Sequence, residues 1–449
     1  MKVIRAAAVL TVAAVIMTIF VSVSAMADEP TIDGVMVQQR WPWSRLVDID
    51  YVLMCEGVQS VDVTIQAYNG ETALSLPEAS FSGDINGVLF GARRIVWDPT
   101  MTAYTNNGVL PKFRVALTPA LSPLYMIVDL TKSPGDAGQI EYVYESELTN
   151  GLWGTWVRNP VTNDGTVVNS VVWTGVTTND IYKTDKLVLR RIPKGTFKMG
   201  NYPPTLSTTL TRDFYAGVFQ VTQRQWELVT GAKPSKLNNP AYYMTRPVET
   251  VSYNAIRGAT NNVPAINWPG TGALVLPSSF LGRLRTQTGL KDFDLPTEAQ
   301  WDYACRAGTT TYFNDGVAGT PSGTHSNAQM DALGRYERNG GKVWNGTAWD
   351  LPGWDCGASN GTAIVGSYLP NAWGLYDTHG NVWECCLNWY EDTPEGGFDP
   401  VGAESGSDRV NRGGSWYLNA ASCHSAVRNK PAPAYGDFNI GLRLVMTLP

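Results

Sequence analysis

Hydrophobic and polar positions alternate with period two along VDIDYVLMC, where Val47, Ile49, Tyr51 and Leu53 share one face and Asp48 and Asp50 the other. The same pattern returns at Val61, Val63 and Ile65 and ends at Asn69-Gly70, a hairpin signal because both residues tolerate positive φ. The runs RRIVWD, KFRVAL and PLYMIVDL follow, separated by Gly, Pro and Asn clusters. Short alternating strands at that spacing predict a small β-sandwich of immunoglobulin or fibronectin type over residues 31–135. Residues 136–186 are polar, rich in Gly and Thr, and broken by brief apolar runs such as Val171 to Trp173, which reads as a linker with some strand character.

From about Leu187 the period lengthens. Thr222-Gln223-Arg224-Gln225 and Thr297-Glu298-Ala299-Gln300 are capping boxes, closed by Gly231 and Gly308. A third helix is predicted over Ser279–Thr288, with Phe280, Leu281 and Leu284 on one face and Gly289 as its stop. Between these helices lie long stretches of Gly, Asn, Pro and Trp, so residues 187–449 predict modest helix and strand content with much ordered loop.

At 449 residues two domains are expected. Charged residues make up 16% of the chain and the net charge is -6, with no basic run beyond the first residues to follow a phosphate backbone, so nucleic acid is not an expected partner. The first 27 residues place Lys2 and Arg5 before an apolar stretch and close on Ala25-Met26-Ala27, the pattern of a cleaved secretory signal peptide. An uncleaved anchor is the alternative, since Ala6 to Val23 approaches the roughly 18 residues needed to span a bilayer. A secreted or periplasmic protein with no membrane segment after signal cleavage is expected. In that compartment the cysteines at 55, 305, 356, 385, 386 and 423 are read as disulfide-forming, with Cys386–Cys423 the favoured pair and Cys305 joining Cys356 or Cys385.

Seven segments occur in order: IPKGTFKMG, FYAGVFQVTQRQW, RPVETVSY, LPTEAQWDYACRAGT, PNAWGLYDTHGNVWE, RGGSW and IGLRLV. Their order and spacing resemble the formylglycine-generating enzyme (sulfatase-modifying factor) family. The resemblance implies an α+β fold related in topology to C-type lectins. Its enzymes oxidise a cysteine of an unfolded sulfatase, using oxygen and a copper ion held by two cysteines, and other members are binding proteins.

Carried onto this chain, the resemblance makes Ser415 and Cys423 the catalytic positions, but the other copper cysteine falls on Leu418, which has no ligand atom. The standard oxidase chemistry is therefore not expected, although Cys423 with Cys385 or Cys386 remains a non-standard copper pair. The resemblance also implies a structural calcium ion at Asp377, Gly380, Val382 and Glu384, and a second at Asn327 and the Ala328 carbonyl. The plainer reading is that Asp377 and Glu384 bond backbone amides of a Gly-rich turn. Two functions follow as expectations. One is a divergent or inactive sulfatase-cysteine oxidase that partners a sulfatase or another secreted protein. The other is a lectin-like module on a sandwich spacer, binding a surface ligand through Trp416, Tyr417 and Tyr435. The three histidines are scattered without zinc spacing and read as hydrogen-bonded loop residues.

Overall fold

The computed structural model describes residues 29–40, 43–54, 60–104, 110–163, 166–200, 205–258, 268–319, 321, 327–351 and 353–448. The signal segment, Cys55 and His325 lie outside the described residues.

Two antiparallel sheets form the N-terminal part. One orders Thr31–Gln39, Val47–Met54, Gly91–Trp97 and Phe81–Gly83, and the other orders Thr72–Leu74, Val61–Asn69 and Phe113–Leu121. Their inner faces share one core. Val47, Ile49, Tyr51 and Leu53 are all buried in it, as their alternation predicts, and Trp97 stacks on Phe113 of the opposite sheet with centroids 4.8 Å apart. Gly70 turns the hairpin at φ 64°.

A six-stranded antiparallel sheet organises the rest, in the order Phe293–Asp294, Val445–Thr447, Phe214–Gly217, Lys186–Ile192, Tyr125–Asp129 and Ile140–Val143. Here the structure departs from the expected boundaries. PLYMIVDL does not close the N-terminal part: Met126 pairs with Leu189 and Tyr125 with Arg190, inside the C-terminal sheet. The supposed linker supplies the edge strand Ile140–Val143, the short helix Glu145–Thr149 and the hairpin Trp156–Asn163/Thr166–Trp173. The physical reason is burial on two faces. Met126 and Val128 enter a core with Leu187, Leu189, Trp226 and Phe280, while Tyr125 and Ile127 enter a second core with Val171, Trp173 and Val188. A strand covered on both sides needs an unbroken apolar run, and Leu124 to Val128 is one.

The three helices stand where their caps predict, at Gln223–Thr230, Phe280–Thr288 and Glu298–Arg306. Both capping boxes are closed: Thr297 Oγ accepts from the Gln300 amide at 3.1 Å and Gln300 Oε1 accepts from the Thr297 amide at 2.9 Å. The last helix ends one residue early, on Ala307 at φ 45°. Trp226 and Phe280 lock the first two helices together, stacked at 4.6 Å. A second sheet, Arg428–Asn429, Arg409–Arg412, Trp383–Trp389 and Ile440–Gly441, carries Glu384, Cys385 and Cys386. Among the described residues no helix is long and apolar enough to cross a membrane.

Candidate functional site

Positive φ at Asp377 (56°), Gly380 (78°) and Asn381 (60°) coils the segment before strand Trp383–Trp389 into a tight turn. At position 380 only glycine fits, because a Cβ there would lie 2.1 Å from the Arg335 carbonyl oxygen. The coil aims three backbone carbonyls inward. Those of Asp377, Gly380 and Val382 lie 3.1, 3.4 and 3.1 Å from one atom, Nε2 of Gln220, and Glu384 Oε1 lies 2.9 Å from it. The four positions assigned to calcium are therefore brought together, with one change of role. Asp377 offers its carbonyl, while its carboxylate Oδ2 accepts from the Gly366 amide at 2.7 Å.

Gln220 was not singled out by the sequence reading. It sits in FQVTQ, where nothing local marks an amide as special, and only the fold shows it reaching residues about 160 positions away. Two protons on its amide nitrogen cannot satisfy four acceptors at once. Nearby, Gln220 Oε1 and Asp377 Oδ1 are buried with no hydrogen-bond partner. Burial, with Glu384 close by, pushes the Asp377 carboxyl up to about 6. Turning the Gln220 amide over would present Oε1 beside the other oxygens, an all-oxygen set of the kind a hard cation takes, and such amide orientations are assigned from the surrounding bonds. The donor set thus fits calcium.

Glu384 is fully buried and held from the far side. Arg443 grips both carboxylate oxygens, at 2.9 and 2.8 Å, and Trp301 Nε1 donates to Oε2 at 2.7 Å. The remaining Arg443 donors go to the carbonyls of Gly217, Val218 and Tyr376. Strand, helix and turn are fastened at this one carboxylate.

Copper does not fit. In RGGSW, Gly414 stands at φ 76° because the chain folds directly onto Cys423; a Cβ there would lie 2.6 Å from its sulfur. Cys423 is fully buried, its thiol pointing to the Ser415 carbonyl at 3.7 Å, and burial pushes it up to about 12. Leu418 packs beside it as hydrocarbon. No second thiolate is available to a soft metal, since Leu418 offers no ligand atom. Ser415 is also buried, and its hydroxyl accepts from Asn439 Nδ2 at 3.3 Å.

The expected disulfides are not formed: Cys305, Cys356, Cys385, Cys386 and Cys423 are all free and buried. Cys386 packs with Cys305, Trp301 and Val410, whereas Cys423 packs with Phe313, Met330 and Tyr336, so the favoured pair is divided between two hydrophobic clusters. The non-standard copper pair fails for the same reason. Burial also raises the thiols of Cys305 to about 11 and Cys385 to about 12, and carries Cys386 well above the usual range.

His379 is a buried loop residue, as read, with Nδ1 2.8 Å from the Cys423 carbonyl and Nε2 accepting from the Asn314 amide at 3.2 Å. Burial lowers it to about 4. Asn327 serves as the cap of helix Ala328–Leu333, its oxygen accepting from the Met330 amide at 3.0 Å.

The expected ligand surface needs one correction: Trp416 is fully buried, its indole donating to the Phe438 carbonyl at 3.1 Å. Tyr435 is exposed and donates to Asp437 Oδ2. Beside Tyr417 the structure instead places Phe438 and the exposed Trp354, with centroids 5.4 Å (Tyr417–Phe438) and 5.6 Å (Trp354–Phe438) apart. Lys342 lies 4.1 Å over Tyr417 and Lys236 5.4 Å from Trp354, making an aromatic face edged with cations.

A family model, the sulfatase-modifying factor enzyme 1-like domain, matches residues 177–448. The formylglycine-generating enzyme of Thermomonospora curvata is 36% identical over 160 residues, 33% of this chain and 48% of its own length. That of Mus musculus is 34% identical over 157 residues, 33% of this chain and 38% of its own. The chain thus spans about half or less of the length of these relatives. Chaperone protein LppX of Paenibacillus barcinonensis is 28% identical over 246 residues, 52% of this chain and 79% of its own. Among solved structures, Treponema denticola variable protein 1 aligns with a TM-score of 0.42 at 23% identity, covering 66% of this chain and all of that one. With more than half of its residues matched by the family model, the chain belongs to the sulfatase-modifying factor enzyme 1-like family.

Proposed function

We propose that the protein is a non-oxidising member of its family, which keeps the scaffold and works by binding. The observation that carries this is the vacated copper pair: Leu418 holds no ligand atom and packs as hydrocarbon, and Cys423 is fully buried. The aromatic face of Tyr417, Phe438 and Trp354 supports a binding role, since flat rings offer contact area to a sugar or a peptide at little entropic cost. A relative named as a chaperone is consistent with a binding member. Export through the N-terminal signal belongs to the same reading, and a sulfatase or other secreted protein remains the partner class that the family suggests.

Calcium is the structural ion in this reading, held by Gln220 Oε1, the carbonyls of Asp377, Gly380 and Val382, and Glu384. It would supply fixed positive charge to a buried oxygen cluster.

The deciding experiment is oxygen consumption by the copper-treated protein with a cysteine-containing sulfatase peptide. No copper-dependent turnover is expected, and sustained turnover would sink the proposal. In parallel, Trp354→Ala should abolish retention on whichever glycan or peptide array feature binds the wild type.

A further inference from the structure

Several acids in the interior of this chain meet guanidinium groups. Arg191 is clamped by Asp62 and Asp213, at 2.6 and 2.8 Å, and Arg443 grips Glu384. Glu249 is fully buried yet forms no ion pair among the described residues. Its Oε1 accepts from the Leu237 amide at 2.8 Å, its Oε2 accepts from Thr250 Oγ, and the Lys236 amide is a third donor. Donors without a counter-charge do not offset the water that a carboxylate loses, and burial raises this one to about 7.

This carboxyl stands behind the aromatic face of Tyr417, Phe438 and Trp354 and joins the segments that support it. On one side, Ser235 Oγ bonds both the amide and the carbonyl of Glu249. That fixes the segment from which Lys236 reaches over the Trp354 ring at 5.4 Å and Asn239 donates to Asp355 at 2.7 Å. On the other side, Thr250, at φ 62°, donates its amide to the Asp437 carbonyl at 2.8 Å, and Asp437 Oδ1 accepts from the Phe438 amide. The remaining charged groups here are engaged. Asp437 also takes the Tyr435 hydroxyl, Lys233 pairs with Glu227, and Arg246 is turned onto the carbonyls of Cys356, Gly357 and Asn360. Lys236 is the cation left to answer the carboxylate: it forms no ion pair among the described residues, and its own amide already bonds Glu249.

While Glu249 is protonated, the ammonium of Lys236 is held by the ring alone. Once it ionises, a full charge in a poorly solvated setting attracts that ammonium more strongly than a ring does. We propose that Glu249 is a proton-controlled latch on the aromatic face, whose ionisation draws Lys236 off Trp354 and bares the ring for a ligand. With a raised folded value, the latch is closed in acid and opens as pH climbs through about 7. Its role in binding rests on the reading of that face as the binding surface; its movement needs no ligand.

The test is fluorine NMR of the full chain labelled with fluorotryptophan, the Trp354 resonance being the one lost in Trp354→Phe. In the wild type that resonance should follow a single titration with a midpoint near 7. It should stay flat in Glu249→Gln and move far less in Lys236→Gln. The two described histidines pack on Phe313 and Tyr312 and supply no competing titration here. Lys236→Gln alters an exposed side chain, so it decides the matter even where Glu249→Gln fails to fold. A wild-type resonance that does not titrate, one that titrates equally in Glu249→Gln, or one that moves as far in Lys236→Gln would overturn the proposal. Array retention by Trp354→Ala reports on the face separately, so the two failures are distinguishable.

Discussion

Single residues decide what the oxygen cradle does. Nε2 of Gln220 is the point on which four oxygens converge, so it is the place to probe. Calcium should raise the melting temperature of the wild type and leave Gln220→Leu unmoved; a calcium response that survives this change would refute the ligand set. A different carboxyl governs pH. Glu249 is buried and accepts from the Leu237 amide and Thr250 Oγ, and burial raises it to about 7. With a raised folded value, its contribution to stability is full below the unfolded carboxyl's 4.5 and is lost as pH climbs through about 7. Glu249→Gln keeps the acceptor and removes the titration, so its stability relative to wild type should improve by about 3 kcal/mol from acid to mildly alkaline pH. Denaturant melts of both proteins across that range check it, and a flat difference would show that the residue ionises normally.

At the scale of elements, the helix Glu298–Arg306 links local sequence to the site. Its capping box fixes the first turn, which sets Trp301 on Glu384 and Asp302 against Arg412 at 3.1 Å. Thr297→Ala should cost about 1 kcal/mol in chemical denaturation, with Thr297→Ser recovering most of it. Elements of this kind were legible because their signals are local: a hydroxyl, an amide three residues on, and a glycine stop. The alternation of Val47 to Leu53 was legible for the same reason. Strand Tyr125–Asp129 was misassigned because its unbroken apolar run, the mark of two-sided burial, was read as one more strand of a half-exposed sheet. Gln220 and the aromatic partners Trp354 and Phe438 were invisible, since each acquires its role from residues distant in sequence. The cysteines misled through the compartment argument, which predicts pairing without knowing which sulfurs the fold separates.

For the whole molecule, the consequence of that strand assignment is a test of architecture. A chain beginning at residue 177, where the family match starts, lacks Tyr125–Asp129 and Ile140–Val143 and leaves Lys186–Ile192 as an open apolar edge. It should aggregate or melt far below a chain beginning at residue 122, which keeps the six strands. Equal melting temperatures for the two would show that the early strands are dispensable.

The clamp of Arg191 between Asp62 and Asp213 gives this architecture a historical meaning. One arginine on the central sheet answers to an acid from each side of the boundary. A recombination event that moved the C-terminal part alone would leave half of a charge pair behind, and one that moved it from the family boundary would also leave two strands behind. The unit that can be inherited intact is therefore longer than the unit that sequence comparison recognises.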